Sequence, residues 1–259
     1  YGKNIEKRAQ KMIRSKIRKY LKNFVGDFGN KNLVNRQLWV EKNLKKLSKG
    51  LRLLDAGAGE QQYRQYCGHL NYVSQDFNEY KGTGNMEGLQ TGTWDISNID
   101  IVSDIINIPE PDSSFDAILC TEVLEHIPDP IAAIKEFHRL LKPGGELILT
   151  APFASLTHFA PYHYYTGFNR YFYEYFLPSI GFIITEITAN GNYSGYLAQE
   201  IRRIITYFGK VPFLIKLSIF MILRFISNKS TERKLIDIGC FGFHVRAKKS
   251  DNLNDIKKR

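Results

Sequence analysis

The segment RLLDAGAGEQQYR, residues 52–64, runs from an apolar strand into Asp55 and then into a turn containing Gly57 and Gly59. A dinucleotide-binding turn carries a third glycine, so that the next helix packs against the strand and receives a pyrophosphate on its N-terminus. Here that position is Gln62. A carboxylate at Asp55 would also repel a phosphate held in the same crevice. The turn suits a ligand that brings a positive group and no phosphate.

Outward from this turn, short apolar runs over 51–55, 72–76, 99–103, 115–120 and 146–150 read as buried strands. Ile131, Ile134, Phe137, Leu140 and Leu141 recur at helical spacing before Pro143 and Gly144-Gly145. Strands that alternate with helical patterns predict an α/β fold with a mostly parallel sheet and helices on both faces. Ligands of such sheets bind at the carboxyl ends of the strands. Further strands are expected in IGFIITEIT, which begins at Ile180, and in DIGCFGFHVRAKK, which begins at Asp237, with an aromatic-rich stretch after Thr150 in front of them.

With 43% hydrophobic and 24% charged residues in 259, the chain has enough apolar surface for a core without disulfides or metals. Cys67, Cys120 and Cys240 are odd in number and widely spaced, and read as core thiols of a reducing compartment. No metal-ligand spacing is visible, so no metal is expected. Of the net charge of +10, residues 1–50 supply 15 Lys and Arg against Glu6, Asp27 and Glu41, leaving the remainder slightly acidic. Within residues 1–24 the apolar side chains recur every three or four positions, which predicts a basic amphipathic helix. It lies either on the protein's own core or against an anionic membrane surface or nucleic acid. The apolar tract 211–226 contains Lys216 and Arg224 and is too short for a comfortable span. A core or homodimer helix is expected there, with a membrane-lying helix as the alternative. The resulting division is a helical extension at 1–48, a domain at 49–249 and a polar tail at 250–259, with acceptor elements at 154–178 and 190–232. A cytoplasmic protein is expected, associated with the inner face of the membrane if either helix binds there.

Five elements occur in order after the first strand. LLDAGAG is followed by Asp76 and Phe77 in YVSQDF, nineteen residues after Gly57, then by Asp104 and Ile105 in IVSDIINIP, by CTEVLEHIPDP and by LKPGGELILTAPF. Together they resemble class I S-adenosylmethionine-dependent methyltransferases, and most closely the type 11 methyltransferase family, over about the middle two fifths of the chain. The resemblance implies a Rossmann-like fold of seven mostly parallel strands with the last antiparallel, and S-adenosylmethionine as cofactor. It implies that Gly57 and Gly59 let backbone approach the cofactor and that Asp55 organises its amino-acid end. Asp76 and Phe77 would meet the ribose, Asp104 and Ile105 the adenine, and Glu122 would lie beside the cofactor, with His126 structural or at the pocket mouth. The turn departs from the family at Glu60-Gln61, where a small residue and a glycine are frequent.

Past the fifth strand the stretch THFAPYHYYT, residues 157–166, resembles a His-x-x-Pro-x-(Asp/His)-(Tyr/Phe)-x-(Tyr/Phe)-Thr pattern of members associated with bacterial surface polysaccharides. This implies O-methylation of a sugar hydroxyl in a surface glycan or its nucleotide- or lipid-linked precursor. A neutral imidazole is a natural base near pH 7, so His158 and His163 are the catalytic candidates and His126 the third. Each could instead only hold its loop together. Tyr162, Tyr164 and Tyr165 are candidates for the acceptor pocket. RNA or other small-molecule methylation is the alternative activity, although the Asp/Asn-Pro-Pro-aromatic motif of amino-methylating nucleic-acid enzymes is missing after the fourth strand, where Cys120-Thr121-Glu122-Val123 stands. An inactive cofactor-binding scaffold is the remaining alternative, and it would have no need of the full set of carboxylates and glycines.

Overall fold

A computed structural model describes residues 31–208 and 238–251, with a few positions between them. The basic helix expected over residues 1–24 and most of the tract 211–226 lie outside the described residues. In chain order the elements are α1 (Lys31–Leu44), β1 (Arg52–Ala56), β2 (Asn71–Asp76), β3 (Ile101–Val102), β4 (Phe115–Thr121), α2 (Pro130–Leu140), β5 (Leu141–Pro152), α3 (Arg170–Ile180), β6 (Phe182–Asn190), α4 (Tyr193–Phe208) and β7 (Gly242–Lys249). The seven strands form one sheet in the order β3-β2-β1-β4-β5-β7-β6. The pairs β1–β2, β1–β4, β2–β3 and β4–β5 are parallel, and β7 runs antiparallel to both β5 and β6. This is the Rossmann-like arrangement that the sequence implies.

Strand alternation shows that both faces are covered. On β7, Phe243 meets Tyr173 of α3 at 6.0 Å between ring centroids, whereas the next residue, His244, meets Trp39 of α1 at 4.9 Å. The α1 face holds a core of Val40, Leu44 and Leu47 packed with Leu53, Tyr63, Cys67, Ala117, Leu119 and Ile148. The later part of the segment read as an extension is therefore packed into this core. α2 begins at a capped end, where Asp129 accepts from the Ala132 amide at 2.9 Å and Pro130 opens the helix. It buries Ala133, Ile134, Phe137 and Leu140.

Two connections differ from the helical pattern expected between strands. The crossover from β1 to β2 contains no α-helix, only turns and a single 3-10 turn at Arg64–Tyr66. Gly57, Gly59 and Gln61 all hold left-handed φ values, +72°, +51° and +54°, which break up any continuous right-handed helical run. α1 takes over the covering of that face. Conversely, the aromatic stretch after Thr150 ends in a helix, α3, in which Asn169 caps the N-terminus through the Phe172 amide and Gly181, at φ +119°, terminates it. Its density of Phe and Tyr masks the helical spacing.

Among the described residues, the strands, α2, α3 and α1 from Asn35 onward belong to one compact unit, and α4 and the first residues of α1, 31–34, to a second. In α4 the Asn192 side chain accepts from the Gly195 amide at 2.9 Å, and Arg203 pairs with Glu200 at 2.7 Å. No helix among the described residues is long and apolar enough to cross a membrane.

Candidate active site

The parallel strands β1, β2 and β4 end on one edge, where the chain places its glycine turn. The Gly57 and Ala58 amides both donate to the Gln75 carbonyl at 2.9 Å, and the Gly59 amide donates to Asp76 Oδ2 at 2.9 Å. A Cβ on Gly57 would stand 2.5 Å from Val123, and one on Gly59 would stand 2.6 Å from Trp94. Glycine is thus required at both positions by φ and by space. The Oδ1 of Asp76 accepts from the Asn78 amide at 2.9 Å, so this carboxylate braces two turns. Each of its oxygens keeps a second lone pair for a ligand hydroxyl. Phe77 beside it is 40% exposed and meets the edge of Tyr162 at 5.0 Å. Past β3, Asp104 is exposed and accepts from the Ile106 amide at 3.1 Å, while the Ile105 side chain is buried.

Asp55 is placed differently from the other acids. Its position in β1 shares the face of Leu53, beneath α1 and the crossover, so its carboxyl is only 2% exposed and accepts from the Tyr72 hydroxyl at 2.7 Å. Burial, reinforced by the charge of Asp76 and opposed by Tyr72, raises its pKa to about 7.

Glu122 follows β4 at φ +54°, a left-handed conformation that costs a non-glycine residue about 1–2 kcal/mol. Three contacts hold it there. Its amide donates to the Thr150 carbonyl at 2.9 Å, its Oε1 accepts from the Thr150 hydroxyl at 2.9 Å, and its Oε2 pairs with Arg36 of α1 at 2.6 Å. Burial opposes the charge on Arg36, but Glu122, Tyr63 and Glu125 together hold its pKa above the ordinary value. In the sequence nothing distinguishes Arg36 from the many other cations of a basic segment.

Two loops close over the same edge. The loop after β2 is zipped to the loop after β5 by Leu89 N to Thr157 O, Phe159 N to Leu89 O and Asn85 N to Ala160 O, each at 3.0 Å. The loop after β5 is also tied to the turn after β4, because the Tyr164 and Tyr165 amides donate to the Glu125 carbonyl at 2.9 and 3.1 Å. Three imidazoles are thereby gathered: His126 and His158 lie 4.7 Å apart by ring centroid, His158 and His163 4.7 Å, and His126 and His163 5.8 Å. Phe159 stacks on His126 on one side and on Tyr80 on the other. The Ser155 hydroxyl donates to the Thr166 carbonyl at 3.0 Å and lies 3.1 Å from His163 Nε2. Its one proton being committed, it accepts from His163 Nε2–H, which leaves Nδ1 as the basic nitrogen. Burial, and the charge of His158 next, lower the pKa of His163. His126 is depressed to about 3, mainly by burial. Both imidazoles are therefore neutral near pH 7. Glu125, at 1% exposure, is raised well above the carboxylate range by burial and then by Glu122. Sequence spacing did not reveal Glu125 as a member of this cluster, although it adjoins His126.

The sequence profile of a family described as a methyltransferase domain matches residues 32–181. Among curated proteins, a ubiquinone biosynthesis O-methyltransferase of Xanthomonas oryzae pv. oryzae is 35% identical over 104 residues, 39% of this chain and 43% of the relative. One of the same description from Xylella fastidiosa is 32% identical over 105 residues, 39% of this chain and 42% of the relative. The chain thus spans less than half the length of these relatives. Among solved structures, a SAM-dependent methyltransferase from Archaeoglobus fulgidus superposes with a TM-score of 0.52 at 17% identity, covering 85% of this chain and 95% of the other. A cyclase, SpnF, also gives 0.52 at 16% identity, covering 84% and 82%. At these identities the likeness concerns the fold, and a fold hosts more than one chemistry.

Proposed function

Because the chain belongs to the methyltransferase domain family, whose methyl donor is S-adenosylmethionine, we propose that it methylates a hydroxyl group of a ring-shaped acceptor. The acceptor in this reading is a sugar of a surface glycan or of its nucleotide- or lipid-linked precursor. When bound, S-adenosylmethionine supplies a methyl carbon activated by its sulfonium. The chain's own residues must then hold the donor, orient the acceptor and take up the acceptor's proton.

The donor edge fits such a ligand. Gly57 and Gly59 give the turn left-handed φ values and lie against Val123 and Trp94, where a Cβ would collide. The spare lone pairs of Asp76 suit ribose hydroxyls, the exposed Phe77 offers apolar contact next to it, and the Asp104 carboxylate and the Ile105 backbone amide suit an adenine. The turn itself, residues 57–63, contains no Lys or Arg, as befits a ligand without phosphate.

The observation that carries the hydroxyl acceptor is the imidazole cluster on the neighbouring loop. His163 is neutral with its tautomer set by Ser155, and beside it stand Tyr164 and Tyr165, 49% and 38% exposed. An imidazole in its basic form accepts a hydroxyl proton, and tyrosine faces accommodate a sugar ring. A second reading, a ring hydroxyl of a quinone precursor, is supported by the partial similarity to ubiquinone biosynthesis O-methyltransferases. Calorimetry with S-adenosylmethionine, followed by a mass-spectrometric screen for the gain of one methylene on sugars, sugar nucleotides and polyprenylated phenols, separates the two. His163→Ala should retain donor affinity and lower turnover about 10²–10⁴-fold. Unchanged turnover in this variant removes His163 as the base, and a failure to bind the donor at millimolar concentration removes the enzyme reading.

The charge and apolar patterning of residues 1–24 and 211–226 further support an acceptor handled at an anionic membrane surface.

A further inference from the structure

Glu125, His126 and His158 come from two separate loops, yet their ligand atoms all lie within 4.8 Å of one another. His126 Nε2 is 3.8 Å and His158 Nε2 is 4.0 Å from Glu125 Oε1. The tautomers follow from the opposite side of each ring. His126 Nδ1 is bonded to the Tyr162 carbonyl, and His158 Nδ1 is 2.8 Å from the Leu156 carbonyl. A carbonyl only accepts, so each Nδ1 carries the proton and each Nε2 turns a lone pair toward the carboxylate. Imidazoles that ligate metals are oriented in this way by a carbonyl on the far ring nitrogen.

Independently, Glu125 Oε2 is buried and has no hydrogen-bond partner. This is the other oxygen of the same carboxyl; a buried carboxyl oxygen without a partner is expensive, and a cation bound through both oxygens would satisfy it. The charge of the neighbouring Glu122 is already paired with Arg36.

We propose that Glu125, His126 and His158 form a binding site for one divalent transition-metal ion. Two imidazoles and one carboxylate suit Zn²⁺, Mn²⁺ or Fe²⁺, whereas Mg²⁺ and Ca²⁺ favour oxygen ligands throughout. Tetrahedral ligands at the usual zinc distances stand about 3.4 Å apart, so the imidazoles would each move about half an ångström nearer the Glu125 carboxyl and, from within 4.8 Å, draw closer to one another. The two hydrogen bonds to the Glu125 carbonyl already fasten one loop to the other. Three protein ligands leave a position open, which is the pattern of a reactive rather than a structural site. On the methyl-transfer reading, which this last step rests on, the acceptor hydroxyl takes that position. The ion lowers the hydroxyl's pKa, and His163 receives its proton.

The test uses the full chain, stripped with a chelator and free of donor and acceptor. Titration with Co²⁺ should give visible d–d absorption that saturates at one equivalent, and dialysis against Zn²⁺ should retain one ion per chain. His158→Ala and Glu125→Gln should each weaken binding at least about tenfold, while His69→Ala, which lies elsewhere, leaves it unchanged. Circular dichroism and donor calorimetry on the same samples report folding, and if Glu125→Gln does not fold, His158→Ala decides. A chain that binds S-adenosylmethionine but retains no metal overturns the site and leaves the methyl-transfer reading standing. Binding that is indifferent to His158→Ala also overturns it.

Discussion

Asp55 shows how the position of a residue in its strand sets its chemistry. Sequence alone marks it as a carboxylate at a strand end, but strand parity turns it under α1, where burial raises its pKa to about 7. An unfolded aspartate titrates near about 3.9. Between these values the folded chain holds a proton that the unfolded chain has lost, so this group's contribution to stability is full at low pH and disappears as pH rises to about 7. His126, depressed to about 3, has the opposite slope over an overlapping range, since its unfolded form binds the extra proton. The wild-type curve therefore mixes the two. Subtracting it from that of Asp55→Asn, which keeps an acceptor for Tyr72, isolates the aspartate. Denaturant midpoints should show the wild type losing ground to this variant from about pH 4 to about pH 7 and levelling off above. Parallel curves would show that Asp55 is not a buried acid.

At the scale of elements, the donor edge is a turn held between β1, β2 and the start of the turn after β4. Gly57→Ala places a methyl group 2.5 Å from Val123 on a backbone with φ +72°. The strain alone is about 1–2 kcal/mol, and relieving the contact requires the turn or Val123 to move. Donor affinity measured by calorimetry should fall at least about tenfold, in line with that strain, while far-UV circular dichroism stays native; wild-type affinity would mean that the turn does not meet the ligand. The order of strands and their alternation with connections could be read from the apolar runs, because buried parallel strands are written as continuous apolar segments. The crossover after β1 could not, because three left-handed residues at alternate positions, 57, 59 and 61, decide it and only two of them are glycine. Nor could α3, where both the buried and the exposed positions are aromatic, so that no polar face marks the helix: Tyr173 is buried while Tyr171 and Tyr175 are exposed.

At the scale of the whole molecule, residues 1–50 carry the net positive charge while the rest of the chain is close to balanced. The full-length protein should sediment with vesicles rich in anionic lipid at low ionic strength, should be released by salt, and should lose this binding on removal of residues 1–24. Retention in the supernatant at low salt would refute the membrane-surface reading. By itself the sequence determined the sheet, the glycine turn and the acids that punctuate its strand ends, because each is encoded locally by apolar runs, φ-permissive residues and spacing. Only the tertiary structure decided how each of those acids is used, since Asp55 and Asp76 look alike in sequence and share a face of the sheet, yet Asp55 lies inside β1 with Tyr72 as its partner while Asp76, at the end of β2, braces the Gly59 and Asn78 amides. It also decided that Arg36 reaches Glu122 and that Glu125, His126 and His158 meet. Those contacts join segments distant in the chain, and only the closing of the loops over the sheet brings them within reach.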